Sequence, residues 1–281
     1  MVVLLILITG CSAQPAPIKK ASVVIPPPIE VLHALPTTAP IPTRDVIASA
    51  LAKLINSPAL GKHVGVAVAD AITGNMLYQN SSAASNEQFV PASSIKLFTA
   101  VAVLLKNSSE EKITFKGKAL SLSNLVEITL TESDNSGADL LSTLVAEPLI
   151  PEITRFLPAL DLSKTTMADA SGLSRKDRTT PTTLVNLLLA IADPTHPELS
   201  PILSGLPVAG FSGTLKDRAS KARGQIRAKT GTLTGVDVLT GYLVDRANRT
   251  LVFAIMADRV PKTEPGRKVI DQLATALTSL S

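Results

Sequence analysis

Strand-like segments lie toward both ends of the folding part of this chain, and helix-like segments fill its middle. That segregation constrains the fold more than any other feature. Toward the N-terminal side, "HVGVAVADAITGNMLYQN" alternates as a strand, turns at Thr73-Gly74-Asn75 and returns as a second strand. Toward the C-terminal side, "GQIRAKTGTL", "DVLTGYLVD" and "RTLVFAIMAD" read as three more, the last two joined by a polar turn at Arg246-Ala247-Asn248-Arg249. Hairpin-length turns favour an antiparallel sheet. Helices flank both strand groups. "TRDVIASALAKLI" carries a stripe of Val46, Ile47, Leu51, Leu54 and Ile55, and "GRKVIDQLATALTSL" carries Val269, Ile270, Leu273 and Leu277 on one face. Between them, "LSNLVEITLTES", "NSGADLLSTLVA" and "TPTTLVNLLLAIADP" follow helical periodicity. The pattern predicts an α/β (α+β) fold, an antiparallel sheet flanked by terminal helices with a helical subdomain.

The first 43 residues follow other rules. "MVVLLILITGCSAQ" is too short an apolar run to span a bilayer and has the length of a signal-peptide core. The small residues before Cys11 resemble the bacterial lipobox, which implies residues 1–11 as a signal segment with Cys11 as the lipidated residue. A plain signal peptide or short anchor with a chance cysteine is the alternative. No Lys or Arg precedes the run, which leaves room for a start codon upstream of Met1. With Cys11 so used, no cysteine remains for disulfides, metal or catalysis. Residues 12–43 hold eight of the 20 prolines and read as a semi-extended tether, leaving 44–281 as the folded domain.

Composition excludes some functions. At 45% hydrophobic and 18% charged residues the chain is globular. It has no Trp and eight Phe plus Tyr, which argues against a sugar cleft built on aromatic platforms. A net charge of +4 fits either an ordinary surface or attraction to a polyanion such as a cell wall or membrane. No basic run interleaved with aromatics points to nucleic acid.

The chemistry is carried by three short motifs in order: Ser93-x-x-Lys96, Ser133-Asp134-Asn135 and Lys229-Thr230-Gly231, followed by Thr232. The first alone is weak, since Ser109 and Lys112 repeat its spacing. Placed at a helix start whose buried side is Ile95, Leu97, Phe98, Val101, Leu104 and Leu105, however, Ser93 and Lys96 are neighbours on one turn. A serine hydroxyl needs a nearby base, so Lys96 must be neutral at the moment of attack. Desolvation and a second cation such as Lys229 would both lower its pKa. A helix N-terminus beside Ser93 would favour a developing oxyanion. Lys229 and Thr230, on a strand, can hold a carboxylate, and Gly231 would let a substrate backbone approach closely.

This trio resembles the signature of penicillin-binding proteins and class A β-lactamases. "DASGLSRKDRTTP" (169–181) and "LPVAGFSGTLKDR" (206–218) look like stretches of the class C penicillin-binding proteins, the D-alanyl-D-alanine carboxypeptidase/endopeptidases of bacterial cell walls. "TESDNSGADLL" and "RAKTGTLTGVDVLTGYLV" do too, and the resemblance spans about residues 85–106 and 118–258. It implies a β-lactamase/transpeptidase-like fold and an exported, membrane-anchored monomer acting on peptidoglycan stem peptides, with β-lactams as covalent inhibitors and no cofactor. It further implies Ser93 as acylated nucleophile and Lys96 as general base. Ser133 would relay a proton to the leaving amine, tuned by Lys229. Asn135 would bind the substrate's amide side and Thr230 and Thr232 its terminal carboxylate, with the Ser93 and Thr232 N–H groups as oxyanion hole. His33, His63 and His196 stand in no metal-ligand pattern.

The chain departs from that family between the first two motifs, where relatives carry whole inserted domains. Here Lys96 and Ser133 are 37 positions apart, with "NSSEEKITFKGK" filling most of the gap. A serine β-lactamase is an alternative, but Glu147 of "AEPLIPE" follows Asn135 too closely to be its deacylating glutamate and reads as a loop carboxylate. A catalytically impaired wall-binding lipoprotein is another. Arg175 and Arg178 are expected either to line the cleft and meet a stem-peptide carboxylate or to be surface arginines near a turn.

Overall fold

The computed structural model describes residues 39–146 and 148–281. The signal segment, Cys11, most of the tether, His33 and Glu147 lie outside the described residues. α1 (Arg44–Ile55) starts at a Thr43 cap, whose hydroxyl accepts the Val46 N–H at 3.4 Å. β1 (His63–Asp70) and β2 (Met76–Gln79) make a hairpin, followed by the short α2 (Ser81–Ala84). The helical lobe comprises α3 (Lys96–Lys106), a hairpin of β3 (Lys112–Phe115) and β4 (Lys118–Ser121), then α4 (Leu122–Thr131), α5 (Asn135–Ser142), α6 (Leu149–Phe156), α7 (Pro181–Ala192) and α8 (Ser200–Gly205). β5 (Ile226–Leu233), β6 (Val236–Val244), β7 (Thr250–Asp258) and α9 (Thr263–Thr278) return the chain to the sheet.

The main sheet has the order β2-β1-β7-β6-β5 and is antiparallel throughout. β1 pairs with β7 along its whole length, from His63 opposite Asp258 to Asp70 opposite Leu251. Both faces of the sheet are covered. The alternation in β1 is between large and small residues. Val64, Val66 and Val68 pack with Ile47 and Leu51 of α1 and Leu273 and Leu277 of α9. Ala67 and Ala69 face the helical lobe and its Leu184 and Leu188. Gly65 continues that small face, where an added Cβ would lie 2.5 Å from Pro181 Cγ and 2.8 Å from Phe89 Cε2. Small residues thus bring sheet and lobe into close contact.

Other differences from the sequence reading have equally local causes. Val46, assigned to the apolar stripe, is 48% exposed, because α1 turns only Ile47 and Leu51 fully inward. α3 buries every residue from Lys96 to Leu104, not one side, since it runs through the middle of the lobe's core. "NSSEEKITFKGK" supplies β3 and the turn of the hairpin β3–β4, made by Lys116 (φ 50°) and Gly117 (φ 75°), both left-handed as a tight hairpin requires. Lys112, the second spacing match, is exposed on β3. The end of the presumed tether docks: the Pro40 carbonyl accepts from Arg249, itself paired with Asp245 at 2.9 Å. Among the described residues no helix is long and apolar enough to cross a membrane.

The packing of α1 sets a direct test. Ile47→Ala empties a fully buried site and is expected to cost about 2–5 kcal/mol, whereas Val46→Ala should stay within about 0.5 kcal/mol. Urea denaturation midpoints of the two variants check the assignment, and equal losses would contradict it.

Candidate active site

A 3₁₀ turn, Ala92–Ile95, runs into α3 and carries Ser93 at the lip of a cleft. Lys96, the first residue of α3, is 1% exposed. Its Nζ lies 3.0 Å from Ser93 Oγ and 2.8 Å from Asn135 Oδ1, and also contacts the Ser171 carbonyl. Burial lowers Lys96 to about 8, while the charges of Asp169, Asp139 and Asp134 pull the other way. All its acceptors are formally neutral, so the amine is held in place without a carboxylate to fix its charge.

A second serine–lysine pair faces the first. Lys229 of β5 is fully buried and donates to Ser133 Oγ and to the Thr230 carbonyl, each at 2.8 Å. Burial drives Lys229 well below the usual lysine range, helped by the charges of Lys96 and Arg218. The expected lysine–lysine influence is therefore clearest at Lys229, whereas burial dominates at Lys96. Ser133 is held at φ 57°. Asp134 beside it caps α5, accepting the Gly137 N–H at 2.9 Å, and pairs with Lys116 at the tip of the β3–β4 hairpin.

Close backbone contact assembles the two pairs. A Cβ on Gly231 would lie 2.5 Å from the Pro91 carbonyl oxygen and 3.2 Å from Ser94 N. A close approach at Gly231 is thus made by the protein's own Ser93 turn. Gly172 (φ 84°) does the same from the other side, its hypothetical Cβ 2.1 Å from the Ala92 carbonyl oxygen. Asp169 shapes that loop, accepting N–H groups from Ser171 at 2.9 Å, Gly172 at 2.5 Å and Ser174 at 2.6 Å. The Ser171 carbonyl is thereby aimed at Lys96. Sequence reasoning assigned Ser171 no role; the Asp-x-Ser-Gly turn pattern is the signal that could have found it.

The cleft has a volume of about 360 Å³ and is lined by Ser93, Ser133, Thr214, Arg218, Thr230, Thr232 and Arg267. Thr230 donates its hydroxyl to Thr214 Oγ1 at 2.7 Å, and Thr232 donates to Asp237 Oδ1 at 3.1 Å. The arginines differ from those expected. Arg175 donates to the Thr234 carbonyl at 2.5 Å, and Arg178 to the carbonyls of Arg175 and Asp177 at 2.6 and 2.7 Å. Both fasten loops, while Arg218 and Arg267, which sequence reasoning passed over, reach the cleft. His63 sits between Asp258 and Glu87, stacked 4.0 Å from the Phe89 ring, and His196 pairs with Glu198. Among the described residues no His/Cys/Asp/Glu group suits a metal ion.

A hydroxyl beside a buried amine, a second such pair facing it, and threonine and arginine side chains beyond them suit acyl transfer from a substrate ending in a carboxylate. Sequence comparison matches the D-Ala-D-Ala carboxypeptidase 3 (S13) family over residues 47–116 and 106–280, the division falling between Lys96 and Ser133. Carboxypeptidase DacB of Mycolicibacterium smegmatis is 38% identical over 167 residues, 53% of this chain and 36% of that protein. A carboxypeptidase of Mycobacterium tuberculosis is 41% identical over 124 residues, 42% of this chain and 26% of that one. The chain thus matches about a third or less of those relatives' lengths. Among solved structures, penicillin binding protein 4 of Haemophilus influenzae superposes with a TM-score of 0.65 at 14% identity, covering 82% of this chain and 98% of that one. A β-lactamase from Xanthomonas campestris gives 0.64 at 20%, covering 84% and 98%. These two likenesses establish the fold, the β-lactamase/transpeptidase type.

The position of Lys96 predicts a pH profile for Ser93. Only the neutral amine can accept its proton, so Ser93 phosphonylation by a fluorophosphonate should rise about tenfold per pH unit and level off above about 8. Lys96→Arg, which keeps a charge that cannot be removed, should slow labelling by about 100-fold or more. Rates from stopped-time mass spectrometry decide it, and a flat profile would count against Lys96 as base.

Proposed function

Because the chain belongs to the D-Ala-D-Ala carboxypeptidase 3 (S13) family, we propose that it is a serine D-alanyl-D-alanine carboxypeptidase acting on peptidoglycan stem peptides. The observation that carries this reading is the pair of serine–lysine contacts, 3.0 Å at Ser93–Lys96 and 2.8 Å at Ser133–Lys229, opening on one cleft.

In this reading Ser93 Oγ attacks the carbonyl of the penultimate D-alanine while neutral Lys96 takes its proton. The N–H groups of Ser93 and Thr232 hold the oxyanion. Ser133 gives its proton to the departing amine and recovers one from protonated Lys96, a relay that the adjacent Lys229 tunes, so that Lys96 is neutral again. Asn135 uses Oδ1 to fix Lys96, which leaves its N–H₂ to donate to the substrate's amide carbonyl. Thr230, Thr232 and the two cleft arginines receive the terminal carboxylate. Water then enters and gives a proton to Lys96 as its oxygen attacks the acyl carbonyl, and Lys96 returns that proton to Ser93 Oγ as the acyl bond breaks and the shortened peptide leaves.

A finer placement among the class C penicillin-binding proteins, with endopeptidase action besides, is supported by the segments 169–181 and 206–218. One of these supplies the Ser171 carbonyl and the other Thr214 and Arg218. The hairpin β3–β4 stands where relatives carry inserted domains. An envelope anchor through Cys11 belongs to the same reading on its sequence pattern.

Incubating the full chain with benzylpenicillin is expected to give a lasting adduct of one drug per protein, absent from Ser93→Ala, by intact mass. Release of D-alanine from a stem pentapeptide should accompany it. Fast turnover of the penicillin would favour a β-lactamase. No adduct and no D-alanine would favour a wall-binding protein.

A further inference from the structure

Asp237 is a buried acid behind the cleft wall, bonded to the cleft residue Thr232, that this mechanism does not use. It is the second residue of β6, directly opposite Thr232 of β5. The side chain is 1% exposed; Oδ1 accepts the Thr232 hydroxyl, and Oδ2 is buried with no hydrogen-bond partner. Arg267 Nε, also buried and without a hydrogen bond, stands 3.8 Å from Oδ1. That is too far for a hydrogen bond, and Arg267 also leans on Glu264 at 3.5 Å. Arg218 is committed to Asp271 at 2.8 and 3.2 Å. The charged groups facing Asp237 are therefore Arg267 and Asp271 of α9 and Arg218 of the loop before β5. Burial raises Asp237 to about 6; the Thr232 bond and the two arginines oppose the rise, and Asp271 adds to it.

We propose that Asp237 is a proton-linked gate on the carboxylate end of the cleft. Ionised, it occupies the Thr232 hydroxyl and places a negative charge beside Arg267. Protonated, it leaves both free for the terminal carboxylate of a substrate. This inference rests on the carboxypeptidase reading and adds to it a residue that positions the carboxylate-binding groups. The sign follows from linkage: an incoming carboxylate favours the neutral acid, so binding takes up a proton and weakens as pH rises through about 6. Neutral Lys96 favours the opposite direction, so the two effects must be separated.

The ratio of acylation rates between Asp237→Asn and the parent chain separates them, because the dependence on Lys96 cancels. With benzylpenicillin, which carries a carboxylate, the ratio should be near one at pH 5 and rise to about three- to tenfold in favour of the variant by pH 7.5. With benzylpenicillin methyl ester, which has none, it should stay flat. Asp237→Ser, which also cannot ionise, should reproduce the slope if the Asn variant folds poorly. A flat ratio with the acid, or the same slope with the ester, overturns the gate while leaving the catalytic reading intact. No acylation of Ser93 by either compound at any pH overturns both.

Discussion

The structure depends on one seam, where edge strand β5 meets the turn that carries Ser93. Gly231 at its centre has no room for a methyl group, because the Pro91 carbonyl already occupies the place where one would go. Ser93, Lys96, Ser133 and Asn135 come from the helical lobe, and Lys229, Thr230 and Thr232 from the sheet. Neither body holds a complete site. Asp169 and Gly172 clamp the turn from the opposite flank, so Ser93 is held between two glycines that differ in role. One permits a strand to approach, and the other adopts a left-handed bend against the Ala92 carbonyl.

The seam is also where the molecule concentrates unfavourable electrostatics. Two lysines are taken out of water within reach of each other, and none of the hydrogen bonds they make goes to a carboxylate. In most folds a buried amine gains a counter-ion. Here desolvation depresses both below the ordinary lysine range, which lowers the cost of leaving an amine neutral and able to accept a proton. Ala92 and Ser133 both hold positive φ, a conformation that costs non-glycine residues about 1–3 kcal/mol. They flank the reacting groups, and the packed surroundings keep them there.

How much of this was legible from residues alone varies by kind. The candidate groups were: Ser93, Lys96, Ser133 and Lys229 could be named because the three motifs that hold them, in that order, resemble the penicillin-binding signature. The main strands were legible through alternation and turn residues. The hairpin β3–β4 was hidden because four-residue strands give almost no periodic signal and its turn begins at a lysine in a left-handed conformation. The burial of both sheet faces was hidden because Val/Ala alternation looks like a half-wet strand until a lobe is placed against the alanines. Asp237, Arg218 and Arg267 were missed since their meeting depends on strand register and on the packing of α9. For Arg175 and Arg178 the sequence left two readings open, and the structure gives the second, arginines at a turn, because nearness to a motif says nothing of where a long side chain ends.

The pairing of β1 with β7 carries a consequence for how the molecule is made. His63 and Asp258 are neighbours across the sheet though 195 positions apart in the chain. The main sheet closes only when β7 meets a β1 separated from it by the whole helical lobe. Closure of so long a loop before any compensating contact forms is slow. Until β7 is in place the β1–β2 hairpin has one open edge, which exposes it to edge-to-edge aggregation. Chemistry at the seam becomes available only at the end of folding, when the last strands arrive.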